Sequence, residues 1–105
     1  MKHLFLALLF PVVALAQQPT LEQMCPLIAD IALVSRTLAK HQITKDKATA
    51  MLADIYNTPD AASSKIVELL ANLAYKHDLE PRQFAVMVGR SCMNGHLGKI
   101  LGVEL

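Results

Sequence analysis

Apolar side chains recur along most of this chain at three- and four-residue steps, the period of an α-helix. Leu21, Met24, Cys25, Ile28 and Ala32 form one such face, extended toward Ser35 and widened by Ile31, Val34 and Leu38. Thr20 and Gln23 make a weak capping box for this first helix, and Pro26 marks either a kink or a restart near its beginning. Ala48, Met51, Leu52, Ile55 and Tyr56 give a second stripe behind Thr44, a capping residue, and Asp46, an acidic first-turn residue.

The third stripe has the clearest pattern. Thr58-Pro59-Asp60 reads as cap, first helical position and acidic turn. Ala62, Ile66, Leu69, Leu70, Leu73 and Ala74 follow at helical spacing, which makes this helix the expected centre of packing. Pro81 opens a fourth helix with Phe84, Ala85, Met87, Val88, Ser91 and Cys92 inward, and Asn94-Gly95 ends it. No run alternates with a period of two, so no sheet is expected.

The pattern therefore predicts an all-α fold, a small four-helix up-down bundle. Its helices fall at about 20–40, 45–56, 59–77 and 81–94, and an apolar tail at 95–105 is extended or partly helical over the bundle.

Residues 1–16 are of another kind. Met1-Lys2-His3 precedes an unbroken apolar run that ends in Ala14-Leu15-Ala16, the three parts of a cleaved secretory signal peptide. The run is shorter than the roughly 20 apolar residues that span a bilayer, and no stop-transfer signal follows. The expectation is an exported protein, periplasmic or secreted, with a single helical domain at 17–105.

Export changes the reading of the cysteines. Cys25 and Cys92 are the only two, and in an oxidising compartment one disulfide is their simplest use. A metal or redox pair is the alternative, but neither belongs to a CxxC motif. An up-down order places the start of the first helix and the end of the fourth at one pole, where the two cysteines would meet.

The full chain carries ten basic and nine acidic residues. Cleavage removes Lys2 and leaves the two signs balanced, which gives no electrostatic reason to bind nucleic acid or anionic lipid. Trp is absent and other aromatics are few, so base-stacking platforms are not expected.

The sequence offers little catalytic chemistry. His41, His77 and His96 lack metal-ligand spacing. The bundle would place His41 and His77 at one pole and His96 at the other, so no metal or cofactor is expected, and a weak surface site of His41, His77 and Asp78 is the alternative. Ser63, Ser64 and Ser91 lack the setting of a nucleophile elbow, and Gly95, Gly98 and Gly102 form no phosphate loop.

Candidate interface residues are easier to find. Arg36 and Arg90 lie beside apolar stripes, where each either pairs with Asp54 or Glu68, packs its stem at the core edge, or anchors an interface; the structural reading is preferred. Leu97, Ile100, Leu101 and Val103 make the tail the strongest functional lead, although packing on its own bundle is the simpler use, because a small core needs the area.

Secreted, helical and holding one disulfide, the chain resembles in outline the small acid-stress chaperones of the bacterial periplasm. It is similar, to the same degree, to small periplasmic immunity or inhibitor proteins that neutralise a wall-degrading enzyme. Both resemblances are of architecture and imply no site residues. The expected function is a non-enzymatic binding module, an inhibitor or immunity-type partner of another protein. An acid-responsive chaperone and a small hydrolase with a dispersed site are the alternatives.

Overall fold

Pro26 divides the first predicted helix. A computed structural model describes residues 22–58 and 60–104, all helices and connections with no strand among them. The predicted leader at 1–16, the Thr20 cap and Pro59 lie outside the described residues. A 3-10 turn at Glu22–Met24 leads into α1, Cys25–Lys40, with Pro26 in its first two positions. There the missing N–H of proline coincides with a group that has no partner within the helix.

Helix α1 buries Cys25, Ile28, Ile31, Ala32 and Ser35. The Ser35 hydroxyl donates to the Ile31 carbonyl at 2.6 Å, which satisfies a polar group taken out of water. The helix closes in a Schellman turn: Gln42 N–H donates to Ala39 O at 3.0 Å and Ile43 N–H to Leu38 O at 3.1 Å. Gln42 takes the left-handed position with φ 62°.

Helix α2, Lys45–Tyr56, has the predicted bounds, with the Thr44 hydroxyl oxygen accepting from Lys47 N–H at 3.4 Å. Its buried stripe is thin, Ala48 and Leu52, and Ile55 is 57% exposed.

Helix α3, Ala61–Ala74, is shorter at both ends than its periodicity predicts. Asp60 caps it, accepting from Ser63 N–H at 2.7 Å, so the helix starts after the acidic residue rather than before it. Its buried face is also turned from the predicted stripe, to Val67, Leu70, Ala71 and Ala74, while Ala62 is exposed and Ile66 and Leu73 pack at the core edge. The small residues Ala71 and Ala74 let this helix approach its neighbour.

That neighbour is α1, and it, not α3, is the central element. It packs against α2, α3 and most extensively α4, whereas α3 and α4 touch little. Helix α4, Pro81–Met93, buries Phe84, Val88 and Cys92. Cys25 and Cys92 form the disulfide, with Cα atoms 5.6 Å apart. At the other end of the pair, Lys40 Nζ meets Glu80 Oε2 at 2.7 Å, so α1 and α4 run antiparallel.

A second Schellman turn ends α4. Gly95 has φ 75°, Gly95 N–H donates to Cys92 O at 3.1 Å, and His96 N–H donates to Ser91 O at 2.7 Å. It turns the chain into α5, Leu97–Leu101, which lies against α4 and α3. The apolar tail is thus a short helix, and Leu97 is part of the core.

Candidate protein-docking groove

The close fit of α1 and α4 leaves an open groove on their outer side. Ala29 lies against Gly89, where an added Cβ would stand 3.4 Å from the Ala29 Cβ. Small residues at a crossing let two helices approach and lower the surface between them. The result is a groove of about 490 Å³. Pro26, Ala29 and Leu33 form its α1 wall, and Ala85, Val86, Gly89 and Met93 its α4 wall.

These residues recur at three- and four-residue steps on faces turned away from the core. Val86 is 47% and Met93 61% exposed, so covering the half of each that still faces water contributes about 1–2 kcal/mol. The disulfide lies at one end, with Cys25 and Asn94 in the lining.

Two cations border this apolar surface. Arg82 and Arg90 both line the groove and are both exposed. Neither has a hydrogen-bond or ion-pair partner among the described residues, and no acidic residue is in the lining. Arg82 stands in the first turn of α4, where the helix dipole disfavours a cation.

The structure separates the residues singled out in the sequence. Arg36 is a scaffold residue: its Nε donates to Leu79 O at 2.7 Å and Nη1 to Ala74 O at 3.4 Å. It ties the end of α3 and the following turn to α1 through backbone carbonyls, not through Asp54 or Glu68. Arg90 is in the groove. Leu97 is 1% exposed and fills the core; Ile100 and Leu101 pack against that core, and Val103 is half-buried. The tail therefore spends its largest buried side chain on its own fold, for the reason that a small domain needs every apolar contact.

Val86, Met93, Gly89 and Arg82 were not among the residues the sequence singled out. A signal existed: Val86 and Met93 lie seven positions apart, outside the predicted inner stripe of their helix, with Arg82 and Arg90 on the same side.

Elsewhere, ionisable groups hold the scaffold together. The Lys40 ammonium, by hydrogen bond and then by charge, holds the Glu80 carboxyl below its ordinary value. The Ser63 N–H does the same for Asp60. Burial, then the hydrogen bond to Asp30 and its charge, raise the Tyr56 phenol. Burial also raises Tyr75, whose hydroxyl donates to Ile43 O, with the Arg36 charge acting in the opposite direction.

His77 packs its ring on Phe84 with centroids 5.6 Å apart, while His41 and His96 are exposed. No three His, Cys, Asp or Glu residues among the described residues gather as a metal site, and no described helix is long and apolar enough to cross a membrane. Comparisons with known protein families, curated proteins and solved structures found no match to this chain.

Proposed function

We propose that this chain is an exported, non-enzymatic binding module that docks another protein in the α1–α4 groove. In this reading residues 1–16 direct export and are removed after Ala16. The remaining helices form an up-down bundle closed by the disulfide, and the mature protein works in the periplasm or outside the cell as an inhibitor or immunity-type partner.

The observation that carries the reading is the groove itself: exposed Val86 and Met93 beside two arginines that have no partner among the described residues. Isolated apolar residues on a surface need no explanation, but a lined apolar groove bordered by two arginines has the composition of an interface core and rim. Support for export comes from the basic, apolar and small-residue order at 1–16, and from a disulfide, a bond that persists in oxidising compartments.

A photo-crosslinking amino acid placed at Val86 or Met93, in the cell that makes the protein, tests the docking reading. A discrete adduct with one second protein is expected from both groove positions and none from Glu68, an exposed α3 residue outside the groove. No adduct from either groove position, or equal labelling from Glu68, removes this reading.

An acid-responsive chaperone is the second reading, favoured by one observation. Asp60 caps the start of α3 and Glu80 pairs with Lys40 across the exposed end of α1 and α4, so acid weakens a helix cap and an ion pair over the same pH range.

A further inference from the structure

The charge pattern of the groove narrows what fits it. We infer that its occupant is an amphipathic helix of a partner protein that carries acidic residues seven or eight positions apart on one face, with two apolar residues between them. The inference rests on the reading of the groove as a docking site and adds the chemistry of the partner.

The wall of α4 from Arg82 to Met93 offers about 16 Å of length, three helical turns at 1.5 Å per residue. Arg82 and Arg90 are eight positions apart, or about 12 Å along the axis. On a docked helix, residues at i and i+7 lie on one face about 10 Å apart, within reach of two flexible arginine side chains. Positions i+3 and i+4 then fall between them on the same face, over the low floor of Ala29, Ala85 and Gly89. Laying such a face into an apolar groove is a recurring mode of peptide recognition.

Three other occupants fit the charge pattern less well. A second copy docked by the same face would bring four arginines together with no acidic residue in either lining. The 21 residues ahead of Glu22 contain no Asp or Glu, so they bring no carboxylate to Arg82 and Arg90. An anionic membrane would meet only two cations beside this groove, too few for firm attachment at about 1 kcal/mol per basic residue.

The test uses the oxidised protein and two helical peptides of about 16 residues. Both carry Leu at i+3 and i+4; one has Glu and the other Lys at i and i+7. Amide NMR shifts report the site and the affinity. The expected result is movement of residues 26–33 and 82–93, with the Glu peptide binding about tenfold tighter than the Lys peptide at low salt. The difference should narrow as salt is added, because exposed charges are screened. The double variant R82E/R90E, folded by circular dichroism, should invert the preference.

Equal affinities at the groove, or no inversion, overturn the acidic-helix inference. So does binding to phosphatidylglycerol vesicles at a concentration where the Glu peptide moves no groove amide. The docking reading itself is decided separately by the crosslink at Val86, so the two can fail independently.

Discussion

Gly89 faces Ala29 across the α1–α4 contact, and a Cβ added to Gly89 would stand 3.4 Å from the Ala29 Cβ. That distance is an ordinary van der Waals contact at its near limit. The pair sets both how closely the helices lie and how deep the groove beside them is.

Gly89→Ala should therefore be accepted. Glycine inside a helix costs roughly 0.5–1 kcal/mol relative to alanine, and the small steric adjustment removes part of that gain. Thermal unfolding should show a stabilisation of about 0.5 kcal/mol. Gly89→Leu should instead wedge α4 from α1 and destabilise by roughly 1–3 kcal/mol. Equal stability of the two variants would mean that the helices do not meet here.

Reduction tests the link between Cys25 and Cys92. The bridge spans 67 positions, and loop-closure entropy for that span is worth about 4 kcal/mol. A single domain has only about 5–15 kcal/mol in total, so the Cys25→Ala, Cys92→Ala double variant should lose a large share. Denaturant titration should show a midpoint moved sharply downward, with a largely helical spectrum retained before the transition. An unchanged midpoint would show that the crosslink constrains nothing in the unfolded chain.

The two Schellman turns differ in one respect that can be measured. Gly95 occupies the left-handed position after α4, whereas Gln42 occupies it after α1 with φ 62°. An L-residue there costs roughly 1–2 kcal/mol, partly offset by the extra freedom glycine adds to the unfolded chain. Gln42→Gly should stabilise by about 0.5–1 kcal/mol. Gly95→Ala, where no neighbouring atom lies within 4 Å, should destabilise by about 1 kcal/mol through the backbone alone. Chemical denaturation of both variants checks the pair, and shifts of the same sign would contradict it.

Acid should weaken the fold through identifiable groups. Asp60 and Glu80 are held below their ordinary values of 3.8 and 4.5, so the unfolded chain binds more protons than the folded one as pH falls past those values. Their contribution is fully present above the ordinary values and is lost as pH falls through the lowered folded ones. Thermal stability should be level from neutral pH to about 5 and decline below about 4. Asp60→Asn keeps a capping oxygen without that proton and should flatten part of the decline. If apolar-dye binding rises over the same interval while helical signal persists, the chaperone reading gains; no dye binding down to pH 2 removes it.

How much of this was legible in the sequence varies by element. The bounds of α2 follow directly from Thr44, Asp46 and the stripe ending at Tyr56, because caps and periodicity act locally. Pro81 likewise announces a helix start, whereas Pro26 leaves a kink and a restart equally open. The α3 region is different: its predicted stripe included Ala62 and omitted Val67 and Ala71, although the latter two are buried. Several rows of an apolar helix can face a core, and only the neighbouring helix selects among them.

The sequence by itself determined that the described chain is helical, where most helices begin, and that Cys25 and Cys92 are available to each other. Those properties depend on backbone propensity, capping and spacing, which are written in short stretches. Only the tertiary structure decided that α1 is the centre, that Leu97 belongs to the core, that Arg36 binds carbonyls while Arg82 and Arg90 have no partner among the described residues, and that Gly89 meets Ala29 beneath a groove. Each of these depends on which surfaces come together across tens of residues, a choice made by packing and charge in three dimensions.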